Sequence, residues 1–303
     1  MSEVFYWLFN MSIAASLAGI TVVLLRLIKK IPRRVIVILW LIPLLRFWLP
    51  VGIGGKYGLM SLLSRFTTRT VTVLEKVPGN YTMTNYAMAA NSYFPITYKV
   101  DLLSDLFNVA SYIWAGIAAA LIIVASIVIV TTASTYKDAE HLRNNIYCSY
   151  KVSSPFVYGI FRPRIIVSAS VTDSSDLDLI ILHEQRHIRR LDNLWRLIAF
   201  LTAAAHWFNP LVWVFLRLYL TDAEIACDES VLSKLPDGEH RHYALALLNM
   251  QERKTVFVSS FGGATLWTRI EHIMSFKRLT FVSAVGFCIL AAAIAYILLT
   301  NAA

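Results

Sequence analysis

Charge is scarce in this chain. Only 16% of its 303 residues are Asp, Glu, Lys or Arg, against 57% hydrophobic residues. That balance excludes an ordinary soluble globular protein. The few charges come in clusters separated by long uncharged gaps, the pattern of a polytopic membrane protein. Cysteine is also scarce: Cys148, Cys227 and Cys288 are far apart and odd in number, which excludes a disulfide framework or a C-x-x-C site. No nucleic-acid-binding motif is present. The net charge of +9 is instead the basic excess expected beside spanning helices, and direct nucleic-acid contact is not expected. No basic leader precedes the first apolar run, so it does not read as a cleaved signal peptide.

A helix needs about 20 apolar residues to cross a bilayer core. Val4–Leu25, Val35 to about Val51, Leu106–Val130 and Leu279–Leu299 qualify. Arg46 interrupts the second near one end and is expected to snorkel to the interface. Arg26, Lys29, Lys30, Arg33 and Arg34 crowd the link between the first two spans, which places that link in the cytoplasm. The division that follows has the first two spans in residues 1–51, an extracellular loop at 52–105 and a third span at 106–132. A cytoplasmic domain at 133–278 and a fourth span at 279–303 complete it. Both termini are then extracellular, in a multi-pass cell-membrane protein whose first partner is the lipid bilayer.

A fifth apolar stretch, 197–216, reads LIAFLTAAAHWFNPLVWVFL. Its length would allow a span, but Asn209 is a good helix N-cap and Pro210 a good first helical residue. The expectation is a membrane-associated hairpin turning at Asn209–Pro210.

Just before it stands LDLIILHEQRH, ending at His187. On a helix, His183 and His187 share a face, with Glu184 beside them. This is the H-E-x-x-H pattern: two imidazole ligands for zinc and a carboxylate that takes the proton of the attacking water. Asp176 or Ser175 is expected to cap that helix. A catalytic zinc wants a third protein ligand. Glu224 in YLTDAEIACDESVL supplies it, and Asp228, four residues on, is placed to fix the tautomer of a ligating imidazole. Both halves must lie on one side of the membrane, which again requires the hairpin. His206 is expected to be structural and His240 and His242 to face solvent, while His141 and His272 are isolated. Upstream, Arg164–Ala169 reads as a short strand, and Arg164, Ile165, Ile166 and Val167 are expected to hold substrate by strand addition.

The stretches SPFVYGIFRPRIIV and HEQRH…HWFNPLVW…EIACDESVL together resemble the BlaR/MecR-type bacterial membrane metallopeptidases. The resemblance covers three spans, a zinc domain and a last span in that order. It implies an α-helical integral membrane protein with four transmembrane helices. A cytoplasmic α+β zincin-like (gluzincin) metalloprotease domain would lie between spans three and four. It also implies one Zn2+ per chain, autocleavage, and a signal relayed from outside to a cytoplasmic repressor or other protein substrate, with a homodimer as an open alternative. Residues 255–268 are the expected self-cleavage segment, and part of 78–96 the expected input. A broad-specificity quality-control protease and a non-catalytic membrane sensor or scaffold are the competing readings. The β-lactam sensors of the family carry a penicillin-binding domain after the last span, whereas this sequence runs to Ala303 and no S-x-x-K acylation motif follows its last span.

Overall fold

The computed structural model describes residues 2–28, 30–49, 101–152, 154–169, 171–172, 176–236, 238–251, 266–278 and 280–299. The expected input loop at 78–96 and most of the expected self-cleavage segment lie outside the described residues. The architecture is mostly helical, with a small mixed sheet between the second and the last of its three long apolar helices.

Helix α1 spans Ser2–Arg26, α2 Arg33–Leu39, α3 Leu41–Trp48 and α4 Asp101–Thr135. Strands β1 (Glu140–Arg143), β2 (Ile146–Ser149), β3 (Phe156–Tyr158) and β4 (Arg164–Ser168) follow. Then come α5 (Leu177–Arg189), α6 (Asp192–Ala205), α7 (Pro210–Leu232), α8 (His240–Gln251), α9 (Leu266–Met274) and α10 (Phe281–Leu299). Among the described residues, three helices are long and apolar enough to cross a membrane: Ser2–Arg26, Leu106–Thr135 and Val282–Leu299.

The second expected span departs from this. It is two short helices that meet at Trp40. Pro43 has no N–H to donate to the Leu39 carbonyl one turn back, so the helical ladder is interrupted there. Arg46 also departs from expectation. It is buried, and its Nε donates to the Leu298 carbonyl at 3.2 Å. A cation thus satisfies an end carbonyl of α10, where the helix dipole is negative.

The stretch 197–216 is two helices. Asn209 Oδ1 accepts from the Leu211 N–H at 2.9 Å and Pro210 opens α7. The Asn209 amide also donates to the hydroxyls of Ser12 and Ser16 at 2.7 and 2.8 Å, pinning the turn to α1. From Asn209 to Asp222, which meets Arg26 at the end of α1, α7 rises about 20 Å at 1.5 Å per residue. That is some two-thirds of a ~30 Å apolar layer. Gly19 makes this packing possible: a Cβ there would lie 2.2 Å from the Phe215 ring. Ala15, Ala18 and Val22 of α1, Ile36, Leu39 and Phe47 of α2 and α3, and Val212 and Phe215 of α7 form the core of this bundle.

The sheet order is β1-β2-β4-β3, with β2 and β4 parallel and the other pairs antiparallel. A small core of Ile146, Cys148, Ile165, Val167 and Ile181 seats it on α5. A third cluster joins Val231 and Leu232 of α7 to Tyr243 and Leu247 of α8 and Ile273 of α9. Helix α5 therefore lies between sheet and bundle, with α7 and α9 close beside it.

Candidate metal centre

Helix α5 buries Ile180, Ile181, His183, Glu184 and His187 on one side. Apolar residues seat the helix, and the polar three face α7. Its capping differs from expectation. Asp176 makes no cap bond; its carboxylate instead takes the His242 ring at 3.0 Å and the Asn249 amide at 3.4 Å. His242 is exposed, as expected, and its ring is also tied to the start of α5. His206 is fully buried against Phe47, with ring centroids 4.6 Å apart.

His183, Glu184, His187, Glu224 and Asp228 come together. The two Nε2 atoms are 3.1 Å apart, and Glu224 Oε2 lies 3.9 and 3.8 Å from those of His183 and His187. The other nitrogen of each ring is committed. His187 Nδ1 meets the Asp192 carboxylate at 2.6 Å, and a carboxylate only accepts, so Nδ1 carries the proton. His183 Nδ1 meets the Tyr243 hydroxyl at 2.8 Å, and that hydroxyl donates to Asp228 at 2.7 Å. It must therefore accept from His183. The partners thus assign both tautomers and leave two Nε2 lone pairs facing each other beside a carboxylate oxygen.

Three facing acceptors repel one another; the Arg269 guanidinium reaches their edge, 3.4 Å from His183 Nε2 and 3.6 Å from Glu224 Oε2. The separations of the three acceptors allow one point about 2.1 Å from each, within the usual range of Zn–N and Zn–O bonds. The donor set therefore fits a metal ion. His183, His187 and Cys227 also lie close together, with ligand atoms within 4.8 Å of one another, but Cys227 fits less well. Its sulfur is on the Nδ1 side of His183, at 3.7 Å, and lies 3.5 Å from that residue's own carbonyl. Burial, and then the Asp228 charge, push its thiol well above the usual range, so it keeps its proton. Glu224 Oε2, unlike the Cys227 sulfur, lies on the Nε2 side of both rings.

Burial alone would push the Glu224 carboxyl up; the His187 ring, Arg196 and Arg269 outweigh it and hold it well below the usual range. Burial likewise works against the charge on Asp228, and Arg269 reverses it by donating to both carboxylate oxygens at 2.7 Å, lowering that carboxyl as well. Burial raises Glu184, offset only in part by His183. One carboxyl is thus raised and two are lowered.

Sequence reasoning missed four contributors. Asp192 reaches His187 because Leu191 adopts the left-handed conformation, φ 55°, and turns the chain back. Tyr243 and Arg269 arrive from α8 and α9, and Arg196 donates to Glu224 from α6. Only Asp192, five residues past His187, left a local signal.

The strand expectation is corrected. β4 pairs with β2 over Ile165–Ser168 and with β3 over Arg164–Ile166, so Ile165 and Ile166 have no free edge for a peptide. Ile165, Ile166 and Val167 are buried, and Arg164 lies over the Tyr147 ring at 4.9 Å. Among the described residues the edge strands are β1 and β3, and β3 is the one beside β4. Asn193, just past the H-E-x-x-H helix, donates to its Val157 carbonyl and to that of Gly159 at 3.0 and 3.1 Å.

A bundle of apolar helices built round a buried H-E-x-x-H pair defines a membrane protein of the metallopeptidase class. The family profile described as BlaR1 peptidase M56 matches residues 6–280, and the chain belongs to that family. It is 30% identical over 124 residues to the regulatory protein BlaR1 of Bacillus licheniformis, covering 40% of this chain and 21% of that protein. It is 24% identical over 132 residues to the methicillin resistance mecR1 protein of Staphylococcus aureus (strain Mu50 / ATCC 700699), covering 42% and 23%. The mecR1 protein of Staphylococcus epidermidis matches to the same extent. The chain thus spans about a fifth of the length of these relatives.

Proposed function

We propose that this chain is a membrane-embedded zinc endopeptidase in which His183, His187 and Glu224 hold one ion and Glu184 is the general base. The observation that carries the reading is the pair of imidazole lone pairs, 3.1 Å apart, aimed at each other beside an anionic Glu224. When bound, zinc would acidify a water and polarise the scissile carbonyl. Glu184 then takes the proton of the attacking water and passes it to the leaving nitrogen, work for which a carboxyl raised by burial is suited. Asp192, and Asp228 through Tyr243, keep each ring's proton on Nδ1. Arg269 and Arg196 balance the carboxylates. The edge of β3, rather than β4, offers backbone groups to an extended substrate, with Asn193 as the group such a substrate would displace.

The basic link between α1 and α2 supports a cytoplasmic side for this centre. The relation to a protein called regulatory supports signal transduction, with the chain itself or a cytoplasmic repressor as substrate. The test is chelation. The full chain in lipid nanodiscs should cleave itself or labelled casein, stop when zinc is removed and resume when zinc is restored. Cleavage unaffected by complete zinc removal would overturn the proposal.

A further inference from the structure

The turn between β3 and β4 carries a side chain that no fold requirement explains. Phe161 is 97% exposed, although it belongs to the large apolar residues that cores bury. Its turn is preformed. Gly159 has φ +91°, and a Cβ there would meet the Arg162 carbonyl at 3.0 Å, while Pro163 fixes the way out. Arg162 and Arg164 flank the ring and are both exposed.

The fold puts this tip at a particular depth. The span Leu106–Thr135 ends in uncharged polar residues, and the hydroxyls of Thr131, Thr132, Ser134 and Thr135 all return to carbonyls of the preceding turn. That is how polar groups are satisfied near the apolar layer. The next residue, Tyr136, packs edge-on against Phe156 of β3 at 5.1 Å, and Lys137 follows, exposed. Tyr136, Lys137, Phe161, Arg162 and Arg164 help line one open cavity of about 440 Å³. Asp138 and Glu140 are exposed nearby but do not line it.

An exposed aromatic ring ringed by three cations, held beside the polar end of a spanning helix, has the composition of an interfacial anchor. We propose that the β3–β4 turn docks on the bilayer, Phe161 entering the acyl boundary while Lys137, Arg162 and Arg164 hold the phosphate of an anionic phospholipid headgroup. The charge of the cavity selects an anionic lipid. The proposal does not depend on the peptidase reading, because the same turn would anchor an inactive chain.

The test places the photo-crosslinking amino acid benzoylphenylalanine at position 161 of the full chain. The protein is set in nanodiscs of phosphatidylcholine alone or mixed with phosphatidylglycerol, and adducts are read by mass spectrometry. The same amino acid at Ile123, on the exposed face of the span, marks the yield of a lipid-facing position. Lipid adducts at 161 are expected in both, several-fold higher in the anionic discs. An Arg162→Gln/Arg164→Gln background should bring the anionic yield down towards that in phosphatidylcholine alone, removing most of the several-fold difference. Three results would overturn the proposal: no lipid adduct at 161 where 123 gives one, adducts to protein instead of lipid, or equal yields whatever the lipid charge and arginine content.

Discussion

Arg26, the last residue of the first membrane helix, holds Asp222 at 2.9 Å, and Asp222 stands two residues before Glu224 on the same helix. Arg33 lies 3.4 Å from the same carboxylate and Trp40 Nε1 donates to it at 3.0 Å. Two turns on, Glu229 accepts the backbone N–H groups of Arg33 and Arg34. At 3.6 residues per turn, Asp222 and Glu229 lie roughly opposite Glu224 and Asp228 on α7. One face of the helix completes the metal centre. The other is fastened to the link between α1 and α2, so a displacement of those helices reaches Glu224 through one rigid element.

This coupling yields the first prediction. Asp222→Asn leaves Arg26 without its counter-charge, and breaking such a buried pair costs about 3–5 kcal/mol. The melting temperature should fall. Cleavage should fall with it even at temperatures where the variant is fully folded, because Glu224 loses its fixed bearing. Asp178→Asn, whose ion pair with Arg143 is exposed, serves as control. Equal cleavage by folded Asp222→Asn and parent would remove the coupling.

The ligand set gives the second. Glu224→Ala should lose zinc, Cys227→Ser should keep it, and Asp192→Asn should bind it about 10–100-fold more weakly because the His187 tautomer is no longer fixed. X-ray absorption of the zinc-loaded parent should show only nitrogen and oxygen neighbours at about 2.0–2.2 Å. A sulfur near 2.3 Å would put Cys227 in place of Glu224.

Proton linkage gives the third, in metal-free protein. Asp228 and Glu224 are held below their usual range. The stability they contribute is complete above the unfolded carboxyl value, about 4, and is lost as pH falls below it. Asp228→Asn should flatten that acid limb of the melting curve. Glu184 is raised and acts in the opposite sense: its contribution is present at low pH and is lost as pH rises. Metal-free Glu184→Gln should therefore melt higher than the parent at neutral pH. A lower melting temperature would show that Glu184 is not penalised by burial.

The parts of this site that rest on local periodicity were legible in the sequence. His183 with His187 and Glu224 with Asp228 are i,i+4 pairs, and Asn209–Pro210 is a helix start wherever it occurs. What depends on distant packing was not legible. Tyr243 and Arg269 meet Asp228 only because α8 and α9 fold over α7, and nothing near them in the chain announces it. Asp192 needs a left-handed Leu191, which leucine does not advertise. The strand at Arg164–Ser168 was found, but its short apolar run does not tell an interior from an edge position, and only the strand order made β3 an edge. Val35–Val51 was long enough to span by length, yet Pro43 breaks its ladder near the middle.

The most direct test compares the parent with Glu184→Gln, both zinc-loaded to the same measured content in identical nanodiscs, with self-cleavage and casein cleavage followed over time. Glutamine keeps the shape of the side chain but cannot accept the proton. The account predicts equal zinc and a cleavage rate lower by about 10²-fold or more. Glu184→Gln cleaving at the parent's rate, or a zinc-loaded parent that cleaves neither itself nor casein, would contradict it.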